Sequence, residues 1–211
     1  MRLLQFCELS PQGITGLREI YEEAFPTSER LSFDSLVGGT KDASRSLTAL
    51  LQGDEVSAFA STLRLHGYPA VLLEYLAVHR RRRGTSLGGT LWSHVRRTAE
   101  STPTVRGVVL EVEDPDEPGI AVDTVALRRR RLVFYRRRGA RVLPVLDYLI
   151  PDQQCAGELP MVLMWAPTGS GGSPDRTELR LLLRALHQEG YGLPEDNPLT
   201  CIARIPGETL E

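Results

Sequence analysis

Apolar positions recur along the chain with two periods. Ile14, Leu17, Tyr21 and Ala24 fall at helical spacing, and Ser10 followed by Pro11 supplies an N-cap and a first helical residue. Leu87, Leu91 and Val95 predict a helix over 87–100, and Leu179, Leu182, Leu183 and Leu186 predict a last one that Gly190 closes. Two more helices are read over 122–138, ended by Gly139, and from near Thr27, after Phe25 and Pro26 stop the first. The short apolar runs between turn residues read as strands at 3–8, 47–51, 56–65, 71–78, 105–112, 142–150, 159–165 and 199–205. Gln52, Gly53 and Asp54 turn the second strand into the third, so these two form a hairpin, and residues 38–45 read as a loop. This order predicts a mixed α/β (α+β) domain around a central, mostly antiparallel sheet.

The stretch PTGSGGSP (167–174) is the clearest linker. It divides a domain over 1–166 from an appendage over 175–211, a helix and a strand that pack on the core or on a second copy of the chain in a homodimer. Composition is that of an ordinary globular protein, 41% hydrophobic with a net charge of −2. Such a balance does not suit a protein that coats nucleic acid or an anionic membrane. All but one of the 25 basic residues are arginine, the exception being Lys41, and many cluster at 80–83, 128–131 and 136–138. Codon usage explains the ratio; it does not explain the clusters. Cys7, Cys155 and Cys201 are odd in number and lack metal or disulfide spacing, and His66, His79, His94 and His187 show no ligand spacing, so no metal is expected. The absence of a signal-like start or a long apolar run predicts a soluble, cytoplasmic protein.

Residues 72–98 carry the clearest chemistry. A buried strand ending at Val78 leads through Arg80–Arg83 into Gly84, Thr85, Ser86, Gly88 and Gly89 and then a helix. Free N–H groups and the positive dipole end make such a helix start an anion site, and the arginines reinforce it. The loop resembles the (Q/R)xxGxG/A motif of the GNAT superfamily of acyl-CoA-dependent N-acyltransferases, with Val78 five positions upstream of Arg83 and Arg83-Gly84-Thr85-Ser86-Leu87-Gly88 in the motif positions. Ser86 departs from it, standing where the family usually has glycine. RLVFYRRRGAR (131–141) is similar to the family's helix ending in an aromatic residue, Tyr-x-x-x-Gly, and AFPTSER (24–30), LEVEDP (110–115) and YLIP…LPMVLMW (148–165) resemble a bacterial branch of unclear substrate. The resemblance covers 1–166. It implies a sheet splayed between the fourth and fifth strands with helices on both faces, a pantetheine arm against the backbone of Leu76, Ala77 and Val78, and phosphates over Arg83, Gly84, Thr85, Ser86, Leu87, Gly88 and Gly89.

Amine acylation by direct attack needs a neutral amine, a polarised thioester and a proton for the departing thiolate. Tyr135 stands in the family's general-acid place; the plain alternative is a phenol packed beside Phe134. Glu74, a carboxylate inside an apolar strand, either takes the amine proton or pairs with an arginine. Glu111 ranks below it as a base and faces the acceptor cleft or solvent; Glu29 lines the acceptor pocket or the surface. The leading expectation is transfer of an acetyl or related acyl group from acyl-CoA to a primary amine of a small molecule. One alternative keeps the fold but takes the acyl group from the phosphopantetheine of a carrier protein in secondary metabolism, docked through the arginine clusters, with aminoacyl-tRNA a remoter donor. Another is a non-catalytic acyl-CoA-binding regulator.

Overall fold

The computed structural model describes residues 1–40, 44–153, 157–169 and 171–207; Lys41, Cys155 and Ser170 lie outside them. Strands β1 (Arg2–Gln5), β2 (Arg45–Gln52), β3 (Glu55–Arg64), β4 (Ala70–Val78), β5 (Gly107–Glu113), β6 (Arg141–Val142), β7 (Leu149–Pro151) and β8 (Glu158–Pro167) alternate with helices α1 (Pro11–Ala24), α2 (Phe33–Gly38), α3 (Leu87–Glu100), α4 (Val122–Arg136), α5 (Arg176–Ala185) and α6 (Pro198–Ile202). The sheet runs β1-β2-β3-β4-β5-β8-β6, with β7 also on β8. Every pair is antiparallel except β4 with β5. Mixed α/β architecture around a mostly antiparallel sheet is thus what the two periods predict.

Periodicity and strand alternation place three apolar clusters. One face of the sheet carries α1 and α2 over Leu47, Ala49 and Phe59. The same face carries α5, whose Leu179, Leu182 and Leu183 pack with Leu72, Val109 and Trp165. The opposite face carries α3, with Leu91, Trp92 and Val95 over Val108, Leu110 and Met164. The 167–174 stretch is tied down where described: Thr168 donates its hydroxyl to the Val105 carbonyl at 2.6 Å, and Trp165 Nε1 donates to the Gly172 carbonyl at 3.1 Å.

Four segments differ from the sequence reading. The second helix starts not near Thr27, where Thr27–Glu29 is a 3-10 turn, but at Phe33, where the Ser32 hydroxyl accepts the Ser35 N–H. The first strand stops at Gln5 and continues as a 3-10 turn over Phe6–Glu8. The predicted strand over 142–150 is broken into β6 and β7, because Pro144 has no N–H for a ladder and Asp147 takes a left-handed φ of 53°. The predicted strand over 199–205 is instead α6, started by an Asn197 cap on the Leu199 N–H and by Pro198 at its first turn, with only a single bridge between Leu146 and Arg204.

The sheet opens where the site is. β4 and β5 pair from Ala70 with Gly107 to Leu73 with Leu110, and there the pairing ends although both strands continue. At that point the β3–β4 register shifts, Ser61 facing Tyr75 while Thr62 faces Leu73, which leaves Glu74 as the extra residue of a β-bulge. A bulge bends its strand and re-aims its side chains, and here it falls where the pairing of β4 with β5 ends.

Candidate active site

The bulge also divides residues that alternation would keep on one face. Simple alternation groups Glu74 with Leu72, Leu76 and Val78; in the structure Leu72 and Glu74 line a cleft on the face of α1 and α5, while Leu76 and Val78 pack beneath α3. The cleft lies between the α1–α2 cluster and the α5 cluster. Phe25, Glu29 and Leu31 form one wall, and Ile150, Met161 and Tyr191 the other. Glu74, Glu111 and Glu113 stand at the parted strands, with Arg131 reaching in from α4.

These carboxylates are not equivalent. Glu74 is held by Arg45, whose Nε and Nη2 donate to its two oxygens at 2.8 and 2.7 Å, and by the Ser61 hydroxyl at 2.8 Å. Both partners of this pair are buried, the side chains 11% and 7% exposed. Of the two readings of Glu74, pairing with an arginine is therefore the one observed. Glu113 pairs with Arg131. Glu111 has no cation in contact among the described residues: the hydroxyls of Tyr148 and Tyr191 donate to its two oxygens at 2.5 and 2.6 Å. Burial raises the Glu111 carboxyl above the ordinary range, the two phenols pull it back, and the nearby Glu74 charge raises it again. Glu29 is half-buried at the cleft wall, its carboxyl also raised by burial and lowered by Arg131 and Arg128. It lies in the pocket.

The other side of the opening holds the Gly loop. Gly84 takes a φ of +77°, the left-handed region that glycine enters without strain. Ser86 sits at −77°, an ordinary value for an L-residue, so the departure from glycine strains no backbone. α3 starts at Leu87 with no side-chain cap, leaving its first-turn N–H groups available to an anion. A Cβ at Gly88 would lie 3.5 Å from Val78 Cγ2 and 3.7 Å from Phe134, so this helix start rests directly on the strand end and on α4. The Arg138 guanidinium lies beside Gly89, 3.3 Å from where its Cβ would be, and 3.9 Å from the Phe134 ring centre.

Strand geometry sorts the three predicted backbone positions of β4. His79 N donates to the Ser57 carbonyl at 2.9 Å, so the hydrogen-bonded pairs with β3 fall at His79 and Ala77. Leu76 and Val78 consequently turn their N–H and C=O groups to the opening. The Val78 carbonyl accepts Arg83 Nε at 3.2 Å, and Arg83 also lies 3.9 Å from Glu23.

Tyr135 is half-buried one turn beyond Arg131, its ring 5.2 Å from Trp92 and 5.0 Å from Phe134. Burial pushes its phenol up to about 12, with the Arg131 charge pulling it down. The 128–131 arginines are largely engaged inside the chain: Arg128 with Glu117 and the Asp114 carbonyl, Arg129 with Asp116, and Arg131 with Glu113.

A parallel strand pair that parts over a glycine-containing helix start, with a tyrosine across the gap, invites comparison with known proteins. The sequence profile of the Acetyltransferase (GNAT) family matches residues 14–122, just over half of the chain. The chain belongs to the GNAT acetyltransferase family. A search of curated protein sequences returned no match. Among solved structures, this GNAT acetyltransferase is similar to a putative acetyltransferase of the family from Bacteroides thetaiotaomicron, at 22% identity and a TM-score of 0.72 over 92% of this chain and 100% of the other. It is also similar to the aminoglycoside 6'-N-acetyltransferase of Enterococcus faecium, at 20% identity and 0.61 over 83% of this chain and 100% of the other. Arabidopsis thaliana NAA60 in complex with acetyl-CoA aligns at 15% identity and 0.59 over 79% of this chain and 97% of the other. At these identities the structures speak for the shared fold. Arg45 and Tyr191 join the site without a sequence signal that singled them out, whereas Arg138 lies in the 136–138 arginine cluster and Tyr148 opens the YLIP stretch.

Proposed function

We propose that this GNAT acetyltransferase moves an acetyl or related acyl group from acyl-CoA to a primary amine of a small molecule, by direct attack. The observation that carries the reading is the opening itself: the backbone of Leu76 and Val78 that faces away from β3, an uncapped helix start and an acidic cleft meet where β4 and β5 part. The residues suit a pantetheine thioester with a pyrophosphate. Leu76 and Val78 offer amide partners, the N–H groups from Leu87 to Gly89 and the Arg83 and Arg138 cations suit phosphate, and Gly84 supplies the turn. NAA60, similar in fold, is a complex with acetyl-CoA.

Acyl-CoA supplies the activated acyl carbon and a thiol as leaving group. Glu111, ionised, takes a proton from the ammonium; the amine nitrogen then bonds to the acyl carbon and gives up its second proton to water, the carbon–sulfur bond breaks, and Tyr135 gives the thiolate its proton. Solvent restores both groups. Glu111 is the better base because Arg45 and Ser61 already occupy Glu74, which instead holds the cleft wall. An acidic cleft favours a cationic acceptor, as an amine is before it loses its proton. Free CoA is favoured over a carrier protein because Ser86 has ordinary geometry and Arg128, Arg129 and Arg131 are engaged within the chain.

Calorimetry with CoA and acetyl-CoA, followed by acetyl-CoA with a panel of primary amines read by mass, tests the proposal. Binding and a gain of one acetyl group are expected, and Glu111→Gln should lose most of the turnover while still binding CoA. No CoA binding at millimolar concentration would sink it.

A further inference from the structure

The acyltransfer reading uses Glu111 but gives no part to the turn after α5, and any catalytic role for that turn rests on the same reading. Leu186–Gly190 winds as one π-helical turn, a rare wider coil that concentrates at functional positions. Three fastenings hold it. Glu189 accepts the backbone N–H groups of His66 and Gly67 at 2.8 and 2.7 Å. His187, fully buried, lies between Thr200 Oγ1 at 2.8 Å and the Leu149 carbonyl at 3.1 Å, and stacks on the Tyr148 ring at 5.4 Å between centres. Gly190 rests on Leu72, where a Cβ would lie 3.4 Å from the leucine Cδ2. The next residue is Tyr191. Its hydroxyl reaches one oxygen of Glu111 and Tyr148 the other.

We propose that Tyr191, delivered by this turn, is a positioning residue of the acceptor site, which with Tyr148 orients the Glu111 carboxylate toward the amine and stabilises its ionised form. A carboxylate offers about four acceptor directions, so one phenol on each oxygen leaves room on both for an ammonium. The surroundings supply little else of that kind. β4 presents Glu74 and Tyr75, β5 itself Glu113, the turn after α1 Glu29, and α4 contributes Arg131, already on Glu113. β8 presents Met161 and Leu163, which are apolar, and His187 stands behind Tyr148. The phenols are thus the only hydrogen-bond donors to Glu111 among the described residues.

Carboxyl ¹³C NMR of protein carrying [δ-¹³C]glutamate reads the titration of Glu111 without donor or acceptor, its resonance assigned with Glu111→Gln. Loss of one charge-assisted hydrogen bond in Tyr191→Phe is expected to raise the midpoint by about one pH unit. The acid limb of kcat/KM, measured with acetyl-CoA and the best amine of the panel, should rise equally. An unchanged midpoint in a folded Tyr191→Phe protein overturns the proposal and leaves the acyltransfer reading intact. A raised midpoint in a protein whose wild type binds no CoA supports the Tyr191 contact and overturns that reading instead. Should Tyr191→Phe fail to fold, the wild type still decides: its Tyr191 hydroxyl proton is expected to shift with the Glu111 midpoint, and one insensitive to that titration overturns the proposal.

Discussion

Removing the Arg45 guanidinium would leave the Glu74 carboxylate buried with Ser61 as its remaining hydrogen-bond donor. Breaking one side of a buried pair typically costs about 3–5 kcal/mol, so Arg45→Ala is expected to lower stability by that order in urea unfolding, and adding Glu74→Gln should restore part of it. If Tyr135 is the proton donor proposed above, kcat of Tyr135→Phe is expected to fall about 100-fold with KM little changed. Because burial holds the Tyr135 phenol up to about 12, it stays protonated through neutral pH, so an alkaline limb near pH 9 would belong to another group. Glu111, as the proposed base, would act in the opposite direction. A base must be ionised, its carboxyl is raised, and kcat/KM should therefore fall with decreasing pH through a midpoint above the ordinary carboxylate range. At this scale the sequence reveals a costly carboxylate in an apolar strand but not its partner. Arg45 stands 29 residues away, and the hairpin register that brings it to Glu74 includes a bulge that alternation does not foresee.

Elements were legible where one period ran uninterrupted. The α3 apolar stripe is an example, because burial on one face forces the period; the β2–β3 hairpin was legible instead from Gly53 and Asp54 between two apolar runs that are buried on both faces. Elements were misread where a cap or a turn residue outweighed an apolar run, as Asn197-Pro198 does in α6. The parting of β4 and β5 came from family resemblance; periodicity alone carries no information on where two parallel strands separate. One glycine tests the β5–β8 register. A Cβ at Gly107 would overlap Cζ2 of Trp165, and Trp165 is fully buried, so the indole cannot swing clear. Gly107→Ala is expected to destabilise by at least about 1–3 kcal/mol, read as a lower melting temperature.

Across the whole molecule, the C-terminal stretch is structural as well as a contributor to the cleft. Leu179, Leu182, Leu183 and Leu186 are buried against the sheet, and each such side chain contributes about 1.5–3 kcal/mol. Their sum is comparable with the 5–15 kcal/mol of a typical domain, so a chain ending at residue 174 is expected to show no cooperative thermal transition by circular dichroism. Sequence reading places a helix there but cannot place Tyr191, whose position depends on a π turn anchored by His66, Gly67 and Thr200 from distant parts of the chain. The parted strands, finally, give β4 two speeds of isotope exchange. Ala77 and His79 point their amides into β3, whereas Leu76 and Val78 point theirs into open space. Deuterium should therefore enter every second amide of this stretch, and a bound thioester arm should erase the alternation.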